Sequence, residues 1–226
     1  MTVDLVITET AEEAALEAAR RLANAARDGG HIALAGGSTP RRAYELAAAL
    51  EPDWSRVDVW LGDERCVPPD DERSNVRLVR ESLVAALERA PSLRAVPTAL
   101  TPERAAAEYA RALEGVVLDL VLLGLGADGH TASLFPNAPS LDEAHARAVA
   151  VRAGLPPWVD RVTMTIATLS DAREILFLVV GADKADAARR AFAEPPSQAT
   201  PASLVRSGRG RTTVVLDSDA AACLSP

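Results

Sequence analysis

The sequence is poor in cysteine and has no long apolar segment. Only two of its 226 residues are cysteines, Cys66 and Cys223, and no CxxC pair occurs. This pattern excludes a disulfide framework and is typical of proteins that keep free thiols in a reducing compartment. No apolar run approaches the roughly 20 residues that a membrane helix needs, and the N-terminus lacks the basic region of a signal peptide. We therefore expect a cytoplasmic protein without a membrane partner.

An excess of positive charge is also absent. The chain has 24 Lys and Arg residues against 32 Asp and Glu, a net charge of −8. This balance argues against nucleic acid as a partner, although a local basic pocket within an acidic protein remains compatible with a small anionic ligand. The chain has no HExxH motif and no paired His or Cys residues at metal-ligand spacing, so we expect no metal site.

Short runs rich in leucine and β-branched residues alternate with alanine-rich amphipathic segments. This alternation predicts an α/β fold with a mostly parallel sheet covered by helices. No internal repeat and no strong linker interrupts it, so we expect one domain over residues 1–226. The predicted strands cover residues 3–7, 31–35, 57–61, 94–96, 116–123, 147–151, 161–166, 175–180 and 212–216. The predicted helices cover residues 9–27, 41–50, 75–87, 102–113 and 183–192.

The stretch at residues 116–139, VVLDLVLLGLGADGHTASLFPNAP, combines a buried strand with a glycine-rich loop that carries His130. In open α/β sheets, ligands bind beyond the carboxyl ends of the strands. A lone histidine is usually structural, but at this place the pattern favours a functional imidazole. The glycines match G-x-G-x-x-G literally. We reject a dinucleotide site because Pro136 and Pro139 leave no room for the helix that must follow.

The segment GGSTP follows the second predicted strand and precedes a helix. Gly36 and Gly37 let backbone N–H groups turn inward, and Ser38 and Thr39 add hydroxyl groups. Together with the helix N-terminus, these residues indicate a binding site for an anion. A tight turn with a capping residue is an equally good interpretation of this motif by itself, and no Walker A motif is present.

Charged residues follow the third predicted strand in the segment GDER. Asp63 and Arg65 lie at a strand end, as do the glycine cup, which is the GGST segment at residues 36–39, and the imidazole of His130. Polar groups from several strand ends that meet in one place are typical of an active site. A solvated loop is the simpler alternative for this segment. Arg161 and Lys184 lie near the starts or ends of two later predicted strands, where a surface charge is the ordinary interpretation. Ser133 is a weak candidate for a nucleophile, since no G-x-S-x-G motif surrounds it.

In order along the chain, ALAGGSTP, GDERCVPPDDERSN, LGLGADGHTASLFP, VDRVTMT and GADKADA resemble the 6-phosphogluconolactonase family. The resemblance runs from about Ile32 to about Leu216. It implies a Rossmann-like fold shared with glucosamine-6-phosphate deaminase, with helices on both faces of the sheet. It also implies hydrolysis of a phosphorylated sugar lactone, 6-phospho-D-glucono-1,5-lactone, without an organic cofactor. We expect a monomer or weak dimer.

The resemblance also implies roles for individual residues. His130 resembles the general base, and its motif is the most specific of the set. The other matching positions are the catalytic partners Asp63, Arg65 and Asp128, and the substrate-binding Gly36, Gly37, Ser38, Thr39, Gly129, Arg161 and Lys184. Either Asp63 or Asp128 is a candidate to orient the imidazole. Either Arg65 or loop N–H groups are candidates to stabilise the oxyanion.

Two rival functions deserve comparison. A glucosamine-6-phosphate deaminase has a catalytic glutamate after its histidine, whereas residues 131–136 of this chain, TASLFP, have no carboxylate. A non-catalytic sugar-phosphate sensor is the second rival. Such a sensor normally has a DNA-binding domain, and no basic helix-turn-helix segment precedes the predicted fold. We therefore favour the lactonase.

Overall fold

The structure, a computed structural model, describes residues 3–153 and 158–224. Within them, one sheet contains seven strands: β1 (Val3–Thr8), β2 (Gly30–Leu34), β3 (Val57–Leu61), β5 (Ser92–Arg94), β6 (Leu120–Leu123), β9 (Glu174–Val179) and β10 (Arg211–Asp217). Their order across the sheet is β1-β10-β9-β6-β2-β3-β5, and every neighbouring pair is parallel. The helices are α1 (Ala11–Asp28), α2 (Ser38–Leu50), α3 (Asn75–Ser82), α4 (Pro102–Ala112), α5 (Ile166–Ser170) and α6 (Ala185–Phe192).

Helices cover both faces of this sheet, which explains why its central strands are apolar throughout. Along β6, Leu120 and Leu122 pack into the core beneath α1, α2 and α3. The alternate residues Val121 and Leu123 pack into a second core with α4 and α6. Side chains of a strand point to opposite faces in turn, so one four-residue strand contributes to both cores. The fold class predicted from the sequence is confirmed by this arrangement.

A small second sheet was not predicted. It consists of β4 (Asp63–Arg65), β8 (Arg161–Met164) and β7 (Ala148–Val151), all antiparallel. The segment GDER was interpreted as charged residues at the end of β3, with a solvated loop as the alternative. Asp63–Arg65 instead form a strand of the small sheet. Three residues are too few for a periodic pattern, and the pairing of β4 with β8 spans about a hundred residues of chain.

Several element boundaries also differ from prediction. Helix α2 begins at Ser38 rather than at residue 41, and α3 ends at Ser82 before a 3₁₀ turn at Val84–Ala86. Strand β6 begins at Leu120, four residues later than predicted. Just before it, the backbone N–H of Asp119 donates to the backbone oxygen of His31 at 2.8 Å, and the Asp119 carboxylate accepts the N–H of His31 at 2.9 Å. Element ends are the least reliable part of a sequence-based prediction, since they depend on such tertiary contacts.

The order of the strands places a crevice between β2 and β6. From β2 the chain continues to β3 on one side, and from β6 it continues to β9 on the other. The loops after β2 and β6 therefore diverge to opposite faces of the sheet, and ligands of open α/β folds bind at such a switch point. These two loops carry GGSTP and the His130 segment. Among the helices described, none is both long and apolar enough to cross a bilayer.

Candidate functional site

A cavity of about 240 Å³ opens at the carboxyl ends of β2, β3, β6 and β9. It brings together most of the residues singled out in the sequence, although they are up to about 150 positions apart. The predicted site residues that line it are Gly36, Gly37, Ser38, Thr39, Asp63, Arg65, His130, Arg161 and Lys184. Asp128 lies beside it in contact with His130. Gly129 does not line the cavity, and its neighbours are Arg190 and Thr200 on the outer side of the loop.

The GGSTP segment presents a helix N-terminus to the cavity. Gly37 is the N-cap of α2, its φ is 108°, and no side chain caps the first turn. That positive φ is accessible to glycine at little cost, which explains the residue at this turn. The first turn of α2 has no acidic residue. The N–H groups and positive end of the helix dipole therefore point to a place where an anion is favoured.

Gly36 is needed for a different reason, because no side chain fits at its position. A Cβ atom there would overlap the side-chain amide of Asn75. The amide nitrogen of Asn75 donates hydrogen bonds to the backbone oxygen of Asp63 at 2.8 Å and to its carboxylate at 3.1 Å. Asn75 thus connects the loop after β2 with the strand β4, and the sequence offered no signal for this contact.

His130 is held by Asp128. The imidazole Nδ1 lies 2.6 Å from Oδ1 of Asp128, which also accepts the backbone N–H of His130 at 3.1 Å. A carboxylate at Nδ1 favours the tautomer in which that nitrogen carries the proton, leaving Nε2 as the basic atom. A Cβ atom on Gly126 would overlap the ring. Burial raises the pKa of Asp128, but its bonds to the backbone N–H and imidazole of His130 lower that pKa further, so the net shift is downward.

Asp63 has other partners. It is 5% exposed, and its Oδ2 accepts a hydrogen bond from the hydroxyl of Ser133 at 2.5 Å. Asn75 bonds the other carboxylate oxygen. Of the two carboxylates considered for orienting the imidazole, Asp128 is therefore the one with a direct contact. Ser133 is fully buried and donates to Asp63, a geometry that keeps its hydroxyl from acting as a nucleophile on a ligand in the cavity.

Three basic side chains reach the cavity from separate elements. Arg65 on β4 lies opposite Arg161 on β8 in the antiparallel register. Arg161 stacks over the ring of Phe135, with its guanidinium carbon 5.1 Å from the ring centroid. Burial lowers the pKa of Arg161, the charge of Asp63 raises it, and the charge of Arg65 lowers it again. Lys184, which follows β9, is paired with Asp183 at 2.9 Å.

Two buried residues near the site were missed in the sequence. Phe135 packs between the ring of His130, 5.2 Å away, and the guanidinium of Arg161. Glu64 is 1% exposed and accepts the backbone N–H groups of Asn75 and Val76 at 2.7 and 2.8 Å. Burial raises the pKa of Glu64 and these N–H groups lower it, with burial prevailing. Glu64 therefore fastens the start of α3 to β4, and a charged residue inside the segment GDER gave no hint of that burial.

The chemistry of the arrangement is that of a base beside an anion site. An oriented imidazole lies on one wall, and three cationic side chains with a helix N-terminus lie on others. Among the residues that the structure describes, no group of three or more His, Cys, Asp or Glu side chains has the geometry to hold a metal ion. The imidazole and the cationic groups are equipped to move a proton and to bind a small anionic molecule.

Comparisons with known proteins identify a matching family, similar sequences and similar structures. Residues 4–214 match the family model of glucosamine-6-phosphate isomerases/6-phosphogluconolactonase. The 6-phosphogluconolactonase of Rhizobium meliloti is 39% identical over 194 residues, 81% of this chain and 83% of that protein. A 6-phosphogluconolactonase structure from Trypanosoma cruzi superposes with a TM-score of 0.87 at 26% identity, covering 100% of this chain and 99% of the other. A monomeric glucosamine-6-phosphate deaminase, 22% identical over 97% of this chain and 99% of its own, shares the fold with a TM-score of 0.82.

Proposed function

The chain belongs to the glucosamine-6-phosphate isomerase/6-phosphogluconolactonase family, and we propose that it hydrolyses 6-phospho-D-glucono-1,5-lactone to 6-phospho-D-gluconate, with His130 as the base that activates water. Relatives that are 34–39% identical over 81–99% of this chain are 6-phosphogluconolactonases, and the chain is an enzyme of that type. The observation that carries the proposal is that the imidazole of His130 and the N-terminus of α2 line one cavity.

The proposed chemistry begins with a water molecule beside Nε2 of His130. Opening the lactone requires addition of water to the ester carbonyl, and an imidazole is suited to remove a proton from that water near neutral pH. Asp128 holds Nδ1 and stabilises the imidazolium that forms. The proton then passes to the ring oxygen as the C–O bond breaks, so no acyl-enzyme is required. Both candidates for stabilising the oxyanion, Arg65 and the N–H groups of the loops, belong to residues that line the cavity.

The phosphate of the substrate is proposed to bind at the start of α2. Ser38 and Thr39 are the first two residues of the helix, and Arg161 and Lys184 line the same cavity. The binding energy of a group remote from the reacting carbon then serves to orient the carbonyl toward the imidazole. On this basis the reaction is the second step of the oxidative pentose phosphate pathway, carried out in the cytoplasm by a monomer or weak dimer.

Deamination of glucosamine 6-phosphate is the nearest alternative. It transfers a proton between C1 and C2 and calls for a carboxylate in a proton relay. Asp128 contacts the imidazole, but the segment after His130, TASLFP, supplies no further carboxylate. Among the described residues that line the cavity, Asp63 is the one carboxylate, and it already accepts hydrogen bonds from Ser133 and Asn75. This arrangement favours lactone hydrolysis over deamination.

A pH-stat assay on freshly prepared 6-phosphogluconolactone tests the proposal. Acid release above the rate of spontaneous ring opening is the expected result, and the same enzyme should release no ammonia from glucosamine 6-phosphate. Ammonia release without lactone hydrolysis would transfer the assignment to the deaminase. Tight binding of both compounds without turnover of either would indicate a sensor.

A further inference from the structure

The loop that carries His130 is held from outside the cavity by one guanidinium. Arg190, on helix α6, donates from Nη2 to the backbone oxygen of Ala127 at 3.1 Å and from Nη1 to that of Asp128 at 3.3 Å. These two carbonyls belong to the peptide groups on either side of the Asp128 Cα atom. A planar guanidinium that binds both of them restricts the rotation of that residue.

Arg190 is itself fixed by two further contacts. Its Nε donates to the carboxylate of Asp186 at 2.8 Å, and Nη1 also donates to the hydroxyl of Thr200 at 3.0 Å. Its side chain is 25% exposed. With partners on three sides, the guanidinium is anchored rather than mobile, so it is able to impose a position on the loop.

Gly129 lies directly beneath this guanidinium. A Cβ atom there would come within 3.1 Å of Nη1 of Arg190 and 3.0 Å of the Thr200 methyl group, and the φ of Gly129 is 95°. The backbone oxygen of Gly129 accepts the N–H of Ala202 at 3.0 Å. The glycine therefore permits close approach of the loop to its support, which accounts for a predicted site residue that does not reach the cavity.

We infer that Arg190 is a positioning residue for the general base, acting through Asp128. The carboxylate of Asp128 lies 2.6 Å from Nδ1 of His130, so a displacement of its backbone moves the group that sets the ring orientation and tautomer. Arg190 does not line the cavity and has no contact with a bound substrate in this scheme. The inference rests on the proposed function, in which His130 is the base.

The adjacent residue provides a matched control. Arg189 pairs with the same carboxylate, Asp186, at 2.9 Å and also with Glu194. It is the same residue type on the same helix, but it makes no contact with the His130 loop among the hydrogen bonds of the described residues. Arg189→Ala therefore removes a comparable surface ion pair while leaving the loop support intact.

The test is steady-state lactone hydrolysis by Arg190→Ala, Arg190→Lys, Arg189→Ala and Asp128→Asn, and by the double variant R190A/D128N. We expect R190A to lower kcat by roughly tenfold to a hundredfold, the scale of a base displaced by about 1 Å, with KM changed less than about threefold. R190K keeps the positive charge but lacks the planar guanidinium that donates to two carbonyls at once. Its kcat should therefore lie between those of R190A and wild type. Arg189→Ala should match wild type.

The double variant separates positioning from general damage to the fold. Because Arg190 is inferred to act through the Asp128 carboxylate, R190A should cause little additional loss once that carboxylate is gone, a non-additive result. Losses that multiply in R190A/D128N, or a wild-type kcat in R190A or R190K, would overturn the inference. Thermal melting accompanies each assay. If R190A fails to fold, R190K is compared in the wild-type and D128N proteins, and the same non-additive result is expected.

Failure of this inference is distinguishable from failure of the proposed function. If His130→Ala abolishes hydrolysis but R190A has full activity, only the positioning role is wrong. If His130→Ala retains full activity, the base assignment itself falls, whatever the Arg190 variants do.

Discussion

Arg65 and Arg161 lie opposite each other in the antiparallel pair β4–β8, and both line the cavity. Like charges in directly opposite positions destabilise a sheet, and the charge of Arg65 lowers the pKa of Arg161. The nearby carboxylate of Asp63 offsets part of this repulsion. A bound anion such as a phosphate group would offset more of the repulsion between the two arginines. Anion binding should therefore stabilise the folded protein.

Inorganic phosphate should therefore stabilise the protein. At a free concentration of about 100 times Kd, binding to the folded state alone contributes about 2.7 kcal/mol, which for a chain of this length corresponds to a rise in Tm of about 5–11 °C. Arg161→Ala and Lys184→Ala should each reduce that rise to less than half. Arg152→Ala, at a side chain that is 86% exposed, should leave it unchanged. Equal rises in all variants would place the anion elsewhere.

Replacement of the proposed base should remove turnover but not binding. In His130→Ala, kcat is expected to fall by about a hundredfold to ten-thousandfold, the usual contribution of general base catalysis. Calorimetric titration with 6-phosphogluconate should give a Kd close to that of wild type, because the substitution leaves the proposed anion site at residues 36–39 unchanged. The exposed His145 is the control, and His145→Ala should be fully active. Near-normal turnover by His130→Ala would refute the base assignment.

The contact between Asp128 and His130 should make a pH-dependent contribution to stability. The pKa of Asp128 is lowered in the folded protein, so its contribution is complete above the unfolded pKa of about 3.9 and is lost as pH falls through the lower folded value. Urea unfolding of wild type and Asp128→Asn should differ at pH 5, with wild type the more stable. The difference should shrink below about pH 4. A difference that stays constant or grows as the pH falls from 5 to below 4 would contradict the lowered pKa.

Space around the imidazole should be as important as its hydrogen bond. A Cβ atom on Gly126 would overlap the ring of His130, so Gly126→Ala is expected to displace the base and lower kcat by roughly a hundredfold. Gly62→Ala is the control, because a Cβ atom there meets its nearest neighbours at 3.7 and 3.9 Å, ordinary contact distances. Lactone hydrolysis with parallel thermal melts distinguishes the two variants. Equal activity of both would show that the ring has room to move.

The alternation of apolar runs and amphipathic segments was sufficient to predict the parallel sheet and its covering helices. Burial on both faces forces apolar residues along a whole strand, as in β6, so a local pattern carries this information. The short strand β4 and the start of β6 were not predicted correctly. Strand β4 forms by pairing with β8, and the residue before β6, Asp119, accepts the backbone N–H of His31. Both contacts join distant parts of the chain.

The site divides in the same way. By itself, the sequence determined which residue types follow the strand ends: the glycine cup, the segment GDER and the loop of His130. Only the tertiary structure decided that Asp128 rather than Asp63 contacts the imidazole, that Glu64 is buried beneath α3, and that Arg190 supports the loop from outside. The physical reason is that packing across the fold selects which partner a side chain meets, as with Arg190, whose two carbonyl partners lie 62 and 63 positions away.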